Sequence, residues 1–153
     1  MLFGDGRLTS CKPVDDDDLG AYIADCLTDP DRFDRILPIG GPGAAITPLE
    51  QGERLFEMLG KRPRYTRVPV GMMDWIIAGL SAGGRLIPAL ADRAEFARIG
   101  RYYATESMLV WDAIASRYDA EATPSTGSRT LWDHYRDLLE GRSVHARSEH
   151  SVF

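Results

Sequence analysis

The chain has 153 residues, 44% of them hydrophobic, which is enough for one domain, or part of one, with a core of its own. Eighteen basic against 23 acidic residues give a net charge of −5, and the one basic cluster, Lys61, Arg62, Arg64 and Arg67, is short beside the long positive face that nucleic acid requires. Cys11 and Cys26 lack a second pair, which fits structural thiols in a reducing compartment better than a disulfide framework or a zinc site.

Met1 leads into Leu-Phe-Gly-Asp-Gly rather than the basic and apolar stretches of a secretory signal, so a cytoplasmic location is expected. Asp5-Gly6 between short apolar runs predicts a tight turn. From Val14 the pattern is helical: Leu19, Tyr22, Ile23, Cys26 and Leu27 recur at helical spacing and predict one buried stripe. Asp15 to Asp18 precede that stripe and read as N-terminal caps, because neighbouring helical residues diverge too far to share one metal ion. Asp29-Pro30-Asp31 ends the helix, and Arg35 to Ile39 is predicted to be a short strand.

Thr47, Pro48 and Glu50 spell a capping box for a helix with Leu55, Phe56 and Leu59 on its apolar face and Gly60 as terminator. Lys61 to Arg67 reads as a solvated loop, with contact to an anionic lipid or ligand as the alternative. Tyr65 to Val68 alternates like a strand. Val70 to Leu90 is mostly apolar, but Asp74, Arg85, Gly79, Gly83, Gly84 and Pro88 interrupt it, so it reads as a buried helix and a turn rather than a membrane span. Peripheral association with a bilayer stays open. Helical stretches are predicted over Val70 to Ile87 and Asp92 to Trp111, and a last amphipathic helix from about Ser128 to Leu139, ended by Gly141. Residues 1–141 form the folded part, and Arg142 to Phe153 is expected to be a disordered tail.

Chemical motifs are few. Gly41-Pro42-Gly43-Ala44-Ala45-Ile46 begins like a dinucleotide loop, but Ile46 replaces the third glycine, Pro42 removes an amide, and the helix starts too late to point at a phosphate. It reads as a strand-to-helix connection. The Tyr-x-x-x-Lys pair of short-chain reductases is excluded, because only Lys12 and Lys61 occur and Leu8 and Glu57 stand four residues before them. Gly79-Leu80-Ser81-Ala82-Gly83 matches a nucleophile elbow in letters but follows a helical run, so a small-residue helix end is the better reading. His145 and His150 lie in the tail at a spacing unsuited to a shared metal, and His134 reads as a boundary residue. Tyr102 and Tyr103, with Arg98 and Arg101 nearby, could hold a flat ligand bearing a carboxylate; the alternative puts the rings in the core and the guanidinium groups in solvent.

As an ordered set, Phe3-Gly4-Asp5-Gly6, Cys11-Lys12-Pro13, Asp18-Leu19, Ile23-Ala24-Asp25-Cys26, Leu37 to Gly43, Thr47 to Gly52 and Ile99 to Met108 resemble the C-terminal part of the 3,8-divinyl chlorophyllide 8-vinyl reductases. The likeness runs from about residue 2 to residue 140. Its Asp-Leu and Thr-Pro-x-Glu helix starts recur in the wider atypical short-chain reductase group, which includes NmrA-like proteins.

The resemblance implies an α/β chain: the C-terminal portion of an NAD(P)-binding Rossmann-type fold, mostly helical with a few short strands, without its N-terminal nucleotide-binding half. It implies an NADPH-dependent oxidoreductase of chlorophyll or bacteriochlorophyll synthesis that reduces the 8-vinyl group of divinyl chlorophyllide or protochlorophyllide to ethyl. NADPH would be bound mainly by the absent half, for which a separate partner is the expected source, so the isolated chain is not expected to turn over. The magnesium tetrapyrrole would meet Met72, Met73, Trp75, Phe96, Tyr102 and Tyr103 as walls and Arg98 or Arg101 as acid partners. No residue is assigned as catalytic, cofactor-binding or metal-binding. The alternatives are a non-catalytic NmrA-like binding or sensing protein and an inactive fragment.

Overall fold

A computed structural model describes residues 1–142. In chain order the elements are β1 (Leu2–Phe3), α1 (Asp16–Asp25), a 3₁₀ turn (Pro30–Arg32), α2 (Pro48–Met58), β2 (Arg67–Val68), α3 (Val70–Gly84), α4 (Pro88–Thr105), β3 (Val110–Asp112), β4 (Arg117–Asp119) and α5 (Leu131–Leu139). They divide into two compact units, one of residues 1–11 and 45–120, the other of residues 12–44 and 121 onward. The architecture is mixed α/β, with helices dominant and strands short, as expected. The expected tail lies outside the described residues apart from Arg142.

In the first unit, β1 and β2 pair in parallel, Leu2 against Arg67 and Phe3 against Val68. The turn expected at Asp5-Gly6 forms, with the Gly6 amide donating to the Phe3 carbonyl at 3.0 Å. The capping box of α2 is present in full: Thr47 accepts from the Glu50 amide, and the Glu50 carboxylate accepts from the Thr47 amide at 2.8 Å. Those bonds hold Glu50 below its usual carboxylate range. Leu2, Leu49, Val68, Ala94 and Ala104 are the buried apolar residues. Tyr65 packs edge-on to Phe56 at 5.7 Å, and burial pushes its phenol up.

Helices α3 and α4 form a tight hairpin. A Cβ on Gly84 would lie 2.9 Å from the Ala91 amide nitrogen, so the small residues that looked like helix breakers instead let the first turn of α4 come close. Two expectations fail here. α4 begins at Pro88, because proline suits the first helical turn. It stops at Thr105, and Trp111 belongs to β3, which pairs antiparallel with β4 through Val110–Asp119, Trp111–Tyr118 and Asp112–Arg117. Asp112 Oδ1 accepts from the amides of Ile114 and Ala115, a side-chain substitute for turn glycines that hid this hairpin.

The second unit is built differently. Asp15 caps α1 by accepting from the Asp17 amide, as its sequence position implies. The stripe predicted to be buried is not: Ile23 is 57% and Leu27 78% exposed, and no residue of α1 is buried. The strand expected over Arg35 to Ile39 is irregular chain, with Ile36 fully in solvent, because Pro38 and the glycines leave it no ladder partner. Helix α5 starts at Leu131 rather than Ser128, and Thr130 and Asp133 form a capping box that holds Asp133 below its usual range.

Polar bonds organise this unit. The Arg129 guanidinium spans Asp15 at 3.1 Å and Asp137 at 2.6 Å. Asp18 accepts from the Ser128 and Arg129 amides, which sets the entry to α5. Lys12 Nζ donates to the Thr123 carbonyl and Ser125 hydroxyl, and the Gly41 amide donates to the Lys12 carbonyl at 2.9 Å. A Cβ on Gly41 would stand 1.6 Å from the Pro13 oxygen, so this backbone crossing admits only glycine.

Candidate functional site

The residues expected to meet a ligand lie on the α3–α4 hairpin. Met72 is 45% and Trp75 82% exposed, with Phe96 at 66%. Tyr102 and Tyr103 meet edge-to-face at 5.9 Å and are 60% and 54% exposed, so the alternative that placed them in the core does not hold. Met73 is half-buried, its methyl group turned toward Gly100.

Neither arginine is simply solvated. Arg101 Nε donates to Asp74 across the two helices at 2.5 Å, and Arg98 bonds Glu95 and the Ser81 hydroxyl. Each group is partly exposed, so each pair contributes only about 0–1 kcal/mol to stability. The Arg101–Asp74 and Arg98–Ser81 bonds span the two helices and fix the register of α4 on α3, whereas Arg98–Glu95 lies within α4. Ser81 lies inside α3 and accepts from Arg98, an arrangement unlike a nucleophile at a strand-to-helix turn.

Sequence reasoning missed the neighbouring feature. Glu106 closes α4, its amide donating to the Tyr102 carbonyl at 2.8 Å. Its carboxylate accepts from the Tyr118 hydroxyl at 2.5 Å. That bond, burial and nearby Glu106 charge, with Tyr102 adding a little, push the Tyr118 phenol up to about 12. Across the strands, Tyr118 meets Trp111 edge-to-face at 5.0 Å, and Trp111 is 52% exposed. Tyr118 stands between Arg117 and Asp119 and Trp111 precedes Asp112, a period-two signal masked by the apolar run Met108 to Val110.

Separated segments that carried the family resemblance also converge. Cys11 bridges Ile46 on one side and Met108 on the other, and the Ser10 amide donates to the Ser107 hydroxyl at 2.9 Å. Burial raises the Cys11 thiol, consistent with a structural rather than a reactive group. Cys26 donates to the Tyr22 carbonyl within α1.

The glycine segment does not suit a nucleotide. Gly41 spends its amide on Lys12, Pro42 has none, and the first amides of α2, those of Leu49 and Glu50, donate to the Gly6 carbonyl and the Thr47 hydroxyl. In the second unit, a cavity of about 290 Å³ lies between the first turns of α1 and α5, and His134 stands at its edge, half-buried. His145 and His150 fall outside the described residues. Among the described residues no group of three or more His, Cys, Asp or Glu converges as a metal site, and no helix is long and apolar enough to cross a membrane. Lys61, Arg62, Arg64 and Arg67 are exposed and form no ion pair among the described residues, in keeping with a solvated loop.

These observations define a mixed α/β chain with an exposed aromatic surface and no nucleotide loop among its described residues. The chain is similar along its whole length to the divinyl chlorophyllide a 8-vinyl-reductases of Cucumis sativus and Oryza sativa subsp. indica, at 49% identity over 154 residues in both cases. The protein of the same name in Arabidopsis thaliana is 47% identical over 139 residues, 91% of this chain. The family resemblance read from the ordered segments is thereby borne out. The names of these relatives describe enzymes that reduce a vinyl group and reside in the chloroplast, whereas a cytoplasmic location was expected for this chain. The chain spans 37% and 38% of the length of the first two. No family model and no solved structure matches it.

Proposed function

We propose that this chain supplies the pigment-holding part of an NADPH-dependent reductase that converts the 8-vinyl group of a divinyl chlorophyllide, or its protochlorophyllide precursor, to ethyl. The observation that carries the reading is the 49% identity over the whole chain to relatives bearing that name. The exposed aromatic residues of α3 and α4 support it, since a magnesium tetrapyrrole is a broad apolar plate that a wall of large side chains can cover.

In this reading Met72, Trp75, Tyr102 and Tyr103 form the wall, with Arg98 and Arg101 at its rim. The Arg101–Asp74 pair keeps the wall in register. The reduction adds a hydride and a proton across the vinyl double bond, and the nicotinamide supplies the hydride when bound. Because the glycine segment does not suit a nucleotide, we assign NADPH to a Rossmann-type region of the longer protein or to a separate chain. What these residues contribute is orientation of the plate. Work on a pigment whose products enter photosynthetic membranes is compatible with peripheral contact to a bilayer.

The test is kinetic, on a protein of the relatives' full length that carries this segment. Trp75→Ala with Tyr102→Ala is expected to raise KM for divinyl chlorophyllide a about tenfold, roughly 1.4 kcal/mol, and to leave KM for NADPH unchanged. Equal rises for both ligands contradict the proposal. Pigment affinity with no reduction in that protein favours the NmrA-like binding alternative.

A further inference from the structure

We propose that the β3–β4 hairpin is a second wall of the pigment site, with Trp111 against the tetrapyrrole face and Tyr118 holding the indole in place. The inference rests on the pigment-holding reading above and adds residues to it.

Four rings form one connected array. Tyr103 touches Tyr102 at 5.9 Å, and Tyr118 touches Trp111 at 5.0 Å. Glu106 joins the two pairs, through its amide to the Tyr102 carbonyl and through its carboxylate to the Tyr118 hydroxyl. Three of the rings are more than half exposed, a costly arrangement for large aromatic side chains that have no ligand to cover.

Strand alternation places the Asp112–Arg117 pair on the other face of the ladder, so the face that carries Trp111 and Tyr118 is aromatic rather than charged, which suits the apolar plane of the pigment. Tyr118 is a positioning residue in this account, since its hydroxyl is spent on Glu106.

The experiment titrates the chain with divinyl chlorophyllide a and with its methyl ester, which lacks the free acid, and follows tryptophan quenching and the pigment's absorption shift. Trp111→Ala is expected to weaken both pigments about tenfold and to remove most of the quenching that survives in Trp75→Phe. Arg117→Met, on the opposite face of the hairpin, is expected to leave both affinities unchanged. Tyr118→Phe keeps the ring and loses the bond to Glu106, so a smaller loss with either pigment is expected. Wild-type binding with unchanged affinities in Trp111→Ala, or with a loss in Arg117→Met as large as that in Trp111→Ala, overturns the inference while the pigment reading stands. If the wild-type chain binds neither pigment, that reading fails and takes the inference with it. Should Trp111→Ala not fold, Trp111→Leu, which keeps an apolar side chain and loses the ring, decides by the same comparison with Arg117→Met.

Discussion

The two units hold themselves together by different means. The first buries Leu2, Leu49, Val68, Ala94 and Ala104 and has both of the small sheets. The second buries no apolar side chain among its described residues, and its most buried polar residue is Thr123, at 2% exposure. It relies on Arg129 between two aspartates, on Asp18 holding the entry to α5, and on backbone crossings at Gly41. Apolar burial tolerates salt and acid, whereas ion pairs and carboxylate caps do not. The same chain therefore contains a part that responds to volume changes and a part that responds to charge.

The largest effect is expected at the crossing in the second unit. Gly41→Ala puts a methyl group inside the Pro13 carbonyl, and because the obstacle is backbone the loss should exceed about 3 kcal/mol in denaturant unfolding. In the first unit, Leu49→Ala empties a core position and is expected to cost about 3 kcal/mol, with no dependence on salt. Arg129→Met reverses that pattern: it should lower Tm at low ionic strength and narrow the gap between low and high salt, whereas Arg98→Met, at an exposed pair, should change neither. If Leu49→Ala and Arg129→Met proved equally salt-sensitive, the contrast between the units would fail.

The caps give the smallest effects and occur in both units. Thr47→Ala and Thr130→Ala are each expected to lose about 1 kcal/mol. Glu50 and Asp133 titrate lower in the folded chain than when unfolded, so the stability they contribute is present above the ordinary carboxylate range and is lost as pH falls through their folded values. Thermal melts taken downward from about pH 5 should show the loss, and it should shrink in the alanine variants.

Local chemistry explains what the sequence revealed. Thr47-Pro48-Leu49-Glu50 and Asp15 were readable because a cap is decided by residues within one turn of each other. The hairpin of Trp111 and Tyr118 was not, because its turn uses Asp112 and a left-handed Ser116 in place of glycine. The stripe of Leu19, Ile23 and Leu27 has helical spacing, but spacing alone says nothing about what packs against it. Likewise Tyr102 and Tyr103 were legible as a pair, while the Arg101–Asp74 and Glu106–Tyr118 bonds span 27 and 12 residues and follow only from the fold.

The central claim is that these residues hold a pigment and leave the nucleotide to another region. The most direct measurement is a paired titration of this chain, by calorimetry or absorption, with divinyl chlorophyllide a and with NADPH. Saturable binding of the pigment and none of the nucleotide is predicted. Saturable NADPH binding with no response to the pigment would contradict the account.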